Sequence, residues 1–508
     1  MAAAPEANAL IVPEGVTWTW RRVAQEVAAV QRGLGALGVA PGARVAVICD
    51  NSERTHAALA AIVGMAAVAV PVNTGLVGAG LAHVLSDSGA RVVIADPVYI
   101  TRCAELMATG SVPRMHCVST AEEGPGEPWL ARFAVDPAAP LLALGKGSDP
   151  AMILYTSGTT GRSKGAQISH ACVLAAIEAS ATVMFEATPE DVLYTCLPLF
   201  HCAGQRLGMW TALRAGACLV LARGFSARGF WDQLRDHGVT KFHFLGPLLS
   251  ILWKAPPTPR DRDQPARLAV AGGPRLAWRE FEERFDLTFV ETYGMTETFG
   301  GCVSHTPRDG RAGSVGYAMA HVETAVMDEA GNIVLPGTAG EICIRPRWRD
   351  VMFSGYHGRP DLTAAAWRDG WFRTGDAGTA DPDGYLRYIG RQKDIIRRRG
   401  ENVSPGEVES AILRFAGVAE CAVVGVPAEL GEDEIMAVLV PEPDATLDLA
   451  ALDAFLHGDL ADFAVPRLAV VVPALPKTIT GRVQRHELQA LRAQATALKS
   501  PMTATTKD

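Results

Sequence analysis

At 508 residues the chain exceeds what one compact core sustains, so two or more domains are expected. Its 48% hydrophobic and 20% charged residues are a globular composition, and a net charge of −8 excludes a phosphate-tracking nucleic-acid surface as the main interaction. No apolar stretch reaches the roughly 18 residues of a membrane span, and the start MAAAPEANALIVPEG has neither the basic nor the apolar part of a signal peptide. Ten scattered cysteines without a CxxC pair read as small core fillers in a reducing compartment, which makes a cytoplasmic enzyme the expectation.

In chain order, Val23, Val27, Val30, Leu34 and Leu37 fall on one helical stripe, and RVAVIC at 44–49 follows as a buried strand. Gly33, Gly35 and Gly38 match GxGxxG, but a dinucleotide fingerprint runs strand, glycines, helix. Here the helix comes first, so these glycines are expected to end it and open the turn at Ala40-Pro41-Gly42. The apolar runs RVVIAD (91–96), ACLVLA (217–222), FHFLG (242–246), RLAVAGG (267–273) and LTFVETYG (287–294) alternate with helical stretches. Such alternation predicts an α/β fold of layered, largely parallel sheets. From about residue 395 the texture changes to a helix near 404–415, paired strands VAECAVVGV and EIMAVLV, a helix near 449–462 and the strand RLAVVV. The division expected is a large domain over 1–392, a small α+β domain over 393–495 and a disordered tail over 496–508.

The most informative segment is YTSGTTGRSKG at 155–165, entered from the apolar run Ala151-Met152-Ile153-Leu154. Gly158, Gly161 and Gly165 let backbone N–H groups close round an anion. Thr156, Ser157, Thr159 and Thr160 add hydroxyls, and Lys164 adds a compact charge suited to phosphate oxygens. This is a polyphosphate cradle, but not the GxxxxGK[ST] loop of the P-loop nucleotide binders.

Four further motifs follow: PLFHCAG at 198–204, YGMTET at 293–298, WFRTGD at 371–376 and GRQKDIIRRRGENVSPGEVE at 390–409, with PKTITGR at 476–482 near the end. Together with the loop, over roughly residues 10 to 490, they resemble the AMP-forming adenylating enzymes: acyl-CoA synthetases, luciferases and peptide-synthetase adenylation domains. The resemblance implies activation of a carboxylic acid by ATP to an acyl-adenylate, then transfer of the acyl group to CoA, with Mg²⁺ as the metal. Attack of a carboxylate on a phosphate joins two anions, so such a site must cancel charge and hold geometry.

By the same resemblance the 156–164 loop holds the β- and γ-phosphates, Thr296 bonds the α-phosphate, and Glu297 supplies the hard oxygen that Mg²⁺ prefers. Asp376 would grip the ribose hydroxyls with Arg391 as its partner. Gly272, Gly273 and Pro274 would form a ledge beside adenine, next to Tyr293 and Gly294. His201 would border the acyl pocket as a gate. Small residues Ala203, Gly204, Gly300 and Gly301, beside His243, Phe244 and Leu245, suggest a roomy, mainly apolar pocket for a bulky, aryl or medium-chain acid. No Asp stands in the PLFHCAG motif to hold a substrate amino group, which argues against amino acids. Lys393 takes the hinge position, and Arg397, Arg398, Arg399 and Gly400 lie where CoA phosphates would be met.

Two departures stand out. Ser163 replaces the usual proline of the loop, and Arg482 replaces the lysine that reaches the α-phosphate and carboxylate oxygens. The second leaves alternatives open: a full ligase, an enzyme of one half-reaction, or a non-catalytic nucleotide-binding module. The expected partners are the acid, ATP and CoA; a homodimer is compatible with such a chain.

Overall fold

A computed structural model describes residues 4–13, 15–143, 145–156, 163–272, 278–398, 401–427, 433–477 and 483–498. It divides into two units: one of residues 1–273, 277–324 and 344–372, the other of 274–276, 325–343 and 373–508. Strands Val322–Met327, Gly340–Pro346 and Trp371–Ala380 each begin in one unit and end in the other.

The first unit is built on two large sheets, layered with helices as the alternation of apolar runs and helical stretches predicts. In the nine-stranded sheet, Asn8–Ile11, Cys218–Leu221, Val192–Thr195, Lys241–Leu245, Leu268–Gly272 and Thr288–Met295 run parallel to their neighbours. Antiparallel strands Gly300–Ser304 and Thr17–Thr19 lie beyond them. The seven-stranded sheet has a parallel centre from Arg44–Ile48, Val68–Pro71, Val92–Ala95, His116–Ser119 and Pro150–Thr156, and an antiparallel edge at Lys164–Ser169 and Gly355–Tyr356. Buried Asn51 ties segments of the unit together: its Nδ2 donates to Leu197 and Ala222 carbonyls at 3.0 Å, and its Oδ1 accepts the Leu199 N–H at 2.9 Å. That clamp fixes the approach to the PLFHCAG motif.

The first helix, Trp20–Ala36, buries Val23, Val27, Val30 and Leu34, with Leu37 as its C-cap. It also runs through Gly33 and Gly35. A Cβ at Gly33 would lie 2.4 Å from the Phe133 ring, so this glycine serves close packing inside the helix; Gly38, at φ +77°, is the one that turns the chain.

In the second unit, strands Val418–Pro427, Asp433–Pro441, Leu468–Val471 and Thr496–Ala497 form one sheet, covered by helices Pro405–Ile412 and Leu449–His457. The tail expected from 496 onward is corrected at its start. Ala497 and Thr496 pair with Leu468 and Ala469, and Leu498 is buried in the core. Backbone pairing and an apolar anchor hold three residues that composition alone marks as tail.

Candidate active site

The entry strand Pro150–Thr156 and the exit strand Lys164–Ser169 pair antiparallel, with Thr156 opposite Lys164. Ser157, Gly158, Thr159, Thr160 and Gly161 lie outside the described residues. Gly165 has a reason other than anion binding: a Cβ there would stand 2.6 Å from Ile153 and 3.1 Å from the Tyr155 ring. It lets the strand pass close over those side chains, and its carbonyl accepts the His357 N–H at 2.7 Å. The short strand Gly355–Tyr356 adds to this edge and brings Tyr356 under Lys164, whose Nζ stands 5.0 Å from the ring centroid. At that distance a cation–π attraction holds the ammonium.

Tyr356 is the residue the motif reading missed, and it joins two motifs. Its hydroxyl donates to Glu297 Oε1 at 2.7 Å. The Glu297 carbonyl in turn accepts the Phe353 N–H at 2.9 Å, so backbone and side chain both fix this glutamate. Glu297 is buried, and its second carboxylate oxygen carries no hydrogen bond among the described residues. Lys164 and Glu297, distant in sequence, thus meet on opposite ends of one tyrosine. The only signal for Tyr356 was its setting, GYHGRP, which is dense in turn-forming residues.

Geometry around Glu297 depends on a tight hairpin. Thr296–Thr298 is a single 3₁₀ turn, and Phe299 after it is left-handed at φ +51°. A β-carbon on Gly294 would fall 1.9 Å from the Gly300 carbonyl oxygen, so only glycine permits the crossing. A non-glycine left-handed residue beside a candidate catalytic carboxylate is the kind of local strain that surrounding structure must hold in place. Tyr293 is buried in the strand that leads into this turn, and Thr296 is half-buried within it.

No group of three or more metal-ligating side chains comes together among the described residues. A lone carboxylate with one free oxygen fits Mg²⁺, which keeps waters and is bound through one or two carboxylates plus substrate phosphates. In the second unit, Asp376 and Arg391 face each other in register on adjacent strands, with Arg391 Nε 3.0 Å from Asp376 Oδ1. The Arg391 guanidinium also donates to the Thr374 carbonyl at 3.0 Å. Gly272 ends its strand opposite Leu245; Gly273 and Pro274 are outside the described residues.

The pocket residues separate. His201 Nδ1 accepts the Ala203 N–H at 3.2 Å, so a neutral ring carries its hydrogen on Nε2. Gly204 opens a π-helical segment, Gly204–Trp210, and a Cβ there would strike the Pro198 carbonyl at 2.4 Å; it packs against backbone. Gly301 packs likewise, its would-be Cβ 2.0 Å from Thr292 Oγ1. Phe244 is corrected: it is fully buried in an aromatic core cluster with Phe242, Phe281 and Phe289. Strand alternation sends His243 to the other face, beside Gly208, where both ring nitrogens lack a hydrogen-bond partner among the described residues. Burial pushes its pKa down to about 3.

Arg398 is corrected as well. Its guanidinium is buried, 2.9 Å from Glu434 Oε1, and it donates to the Phe463 and Val465 carbonyls at 3.0 and 2.6 Å. A side chain so engaged is not available to CoA. Arg397 alternates outward and is exposed, as is Lys393 in the short turn Gln392–Asp394. Arg399, Gly400 and Arg482 lie outside the described residues.

Residues 1–357 match the AMP-binding enzyme family and residues 407–482 match the AMP-binding enzyme C-terminal domain. The chain is 31% identical over 469 residues to a crotonobetaine/carnitine–CoA ligase of Salmonella typhi, covering 89% of each protein. Its fold is similar to that of the anthranilate CoA ligase AuaEII in complex with anthranoyl-AMP (TM-score 0.87, 25% identity, 96% of this chain and 94% of that one). It is also similar to ATP-bound MatB from Rhodopseudomonas palustris (TM-score 0.85, 30% identity, 96% of both chains). The chain therefore belongs to the AMP-binding enzymes, the AMP-forming adenylating superfamily that includes the acyl-CoA ligases.

Proposed function

We propose that the protein is an AMP-forming acyl-CoA ligase: a carboxylic acid and ATP give acyl-AMP and pyrophosphate, then CoA gives the thioester and AMP. The observation that carries this reading is the meeting of Lys164 and Glu297 at Tyr356. Phosphate chemistry needs a fixed cation and a metal-binding carboxylate close together, and here one aromatic ring positions both. In this reading Lys164 binds the β- and γ-phosphates, Thr296 bonds the α-phosphate, and Glu297 holds the Mg²⁺ that neutralises them. Asp376, oriented by Arg391, serves the ribose hydroxyls. Lys393 is the pivot between the two half-reactions, and Arg397 is left as the described arginine able to meet CoA phosphate.

For the acid we propose a bulky, aryl or medium-chain carboxylic acid in preference to acetate. In this reading a site fitted to a larger acid would forfeit contacts with a two-carbon substrate. The structurally similar anthranilate ligase, which takes an aryl acid, supports that preference. The test is acid-dependent consumption of CoA thiol with ATP, scored for AMP as product. Formation of ADP, or a higher kcat/KM for acetate than for every larger acid, would count against the reading.

A further inference from the structure

Arg206 lies in the π-helical segment Gly204–Trp210, a distortion often found at functional positions. Its side chain is completely buried. Nε donates to Ser180 Oγ at 2.7 Å, and Nη1 reaches the Phe299 carbonyl at 3.4 Å, two residues beyond Glu297. Nη2 has no hydrogen-bond partner among the described residues. Neutral acceptors therefore take two of its nitrogens and no carboxylate takes the third. The charged surroundings are as bare: burial pulls its pKa down to about 10, and the groups that act against that shift are the thiols of Cys302, Cys172 and Cys202. A guanidinium with that pKa is still charged at neutral pH.

Two further features bear on this side chain. His321 is buried with an Nε2 unpartnered among the described residues and is held at about pKa 4, by burial first and then by the Arg206 charge. Gly300, at φ +96°, faces the guanidinium: a Cβ there would stand 3.2 Å from Arg206 Cδ and 3.5 Å from Nη1. A buried charge without a counterion is costly unless something pairs with it. The folded chain carries that cost while leaving Nη2 unpartnered among the described residues.

Resting on the ligase reading above, we infer that Arg206 receives a second carboxylate on the acid substrate, so that the preferred acid is dicarboxylic. The two N–H donors of the unpartnered Arg206 Nη2 suit a carboxylate oxygen. The distal group would settle its charge on Arg206 while the other carboxylate stays free for adenylation near Glu297.

The test is calorimetric binding, without ATP, of matched acids: butanoic with succinic, hexanoic with adipic, and benzoic with each phthalic acid. Wild type is expected to bind at least one diacid about tenfold tighter than its monoacid, the size of one charge-assisted hydrogen bond. In Arg206→Gln that ratio should fall to near one. Monoacids binding as well as or better than every matched diacid would overturn the inference, as would a diacid preference that survives Arg206→Gln. Should that variant fail to fold, the wild-type ratio decides alone. ATP–pyrophosphate exchange on the same acids separates the two readings. Arg206-dependent diacid binding without exchange sinks the ligase and leaves the receptor, and exchange with no diacid preference does the reverse.

Discussion

Tyr356 sits between Lys164 and Glu297, so its hydroxyl and its ring have separable effects. Tyr356→Phe keeps the ring under the ammonium and removes the donor to Oε1. Loss of one such hydrogen bond to a charged group is worth about 1.5–3 kcal/mol, so adenylation should slow by about tenfold to a hundredfold. Mg²⁺ dependence should shift with it, because the carboxylate that binds the metal loses its orientation. Wild-type turnover and Mg²⁺ response in Tyr356→Phe would remove the tyrosine from the site. At Arg482, Arg482→Lys separates two accounts. If arginine already substitutes for the usual lysine, the variant gains less than about tenfold in adenylation, or about 1.4 kcal/mol in barrier. A larger gain, with thioester formation from a synthetic acyl-adenylate unchanged, marks arginine as the limit on the first half-reaction. Single-turnover rates of each half-reaction decide between them.

At the scale of elements, strand parity explains what was and was not legible. In YGMTET and WFRTGD the carboxylates Glu297 and Asp376 stood out in the sequence because a carboxylate in such a setting has few packing uses, while the middle of the phosphate loop lies outside the described residues. Phe244 and Arg398 were misassigned because a motif gives neighbours in sequence but not the face of the strand. In Ile396-Arg397-Arg398 the burial runs in, out, in, so the middle arginine is free and the last is locked to Glu434. Removing one partner of such a buried pair costs about 3–5 kcal/mol. Arg398→Ala should therefore lower the denaturant midpoint of the second unit, while Arg397→Ala should raise the KM for CoA with stability unchanged. An unchanged midpoint in Arg398→Ala would contradict the structural role. Arg206 and Tyr356 escaped notice because each acts through long-range partners, Phe299 and Glu297, that no local spacing announces. Lys393 lies in the short 3₁₀ turn Gln392–Asp394, where a proline would lock one backbone dihedral. Lys393→Pro should fix that turn and slow thioesterification more than adenylation; equal loss in both would speak against a pivot there.

For the whole molecule, the α/β layering and the parallel sheets followed from apolar runs alternating with helices, whereas the tertiary clamp at Asn51 did not, since it joins segments about 150 residues apart. Buried histidines give the chain a pH signature. Burial lowers His56 to about 4, His321 to about 4 and His243 to about 3, from an ordinary 6.5. Below that ordinary value the unfolded chain takes up protons that the folded one refuses. Stability is thus full above about pH 6.5 and falls as the pH drops towards 4, by up to about 1.4 kcal/mol per pH unit for each histidine. Urea midpoints measured across that range should decline; a flat profile would mean these rings are hydrated or paired.

The central claim is that Lys164 and Glu297, joined through Tyr356, form the centre at which an acid is adenylated. ATP–pyrophosphate exchange measures that step alone, in wild type and in Lys164→Ala and Glu297→Gln. The account predicts acid-dependent exchange in wild type and a loss of about 10²–10³ in each variant, the usual cost of deleting one well-aimed electrostatic contact, with folding preserved. Exchange at the wild-type rate in either folded variant would contradict it.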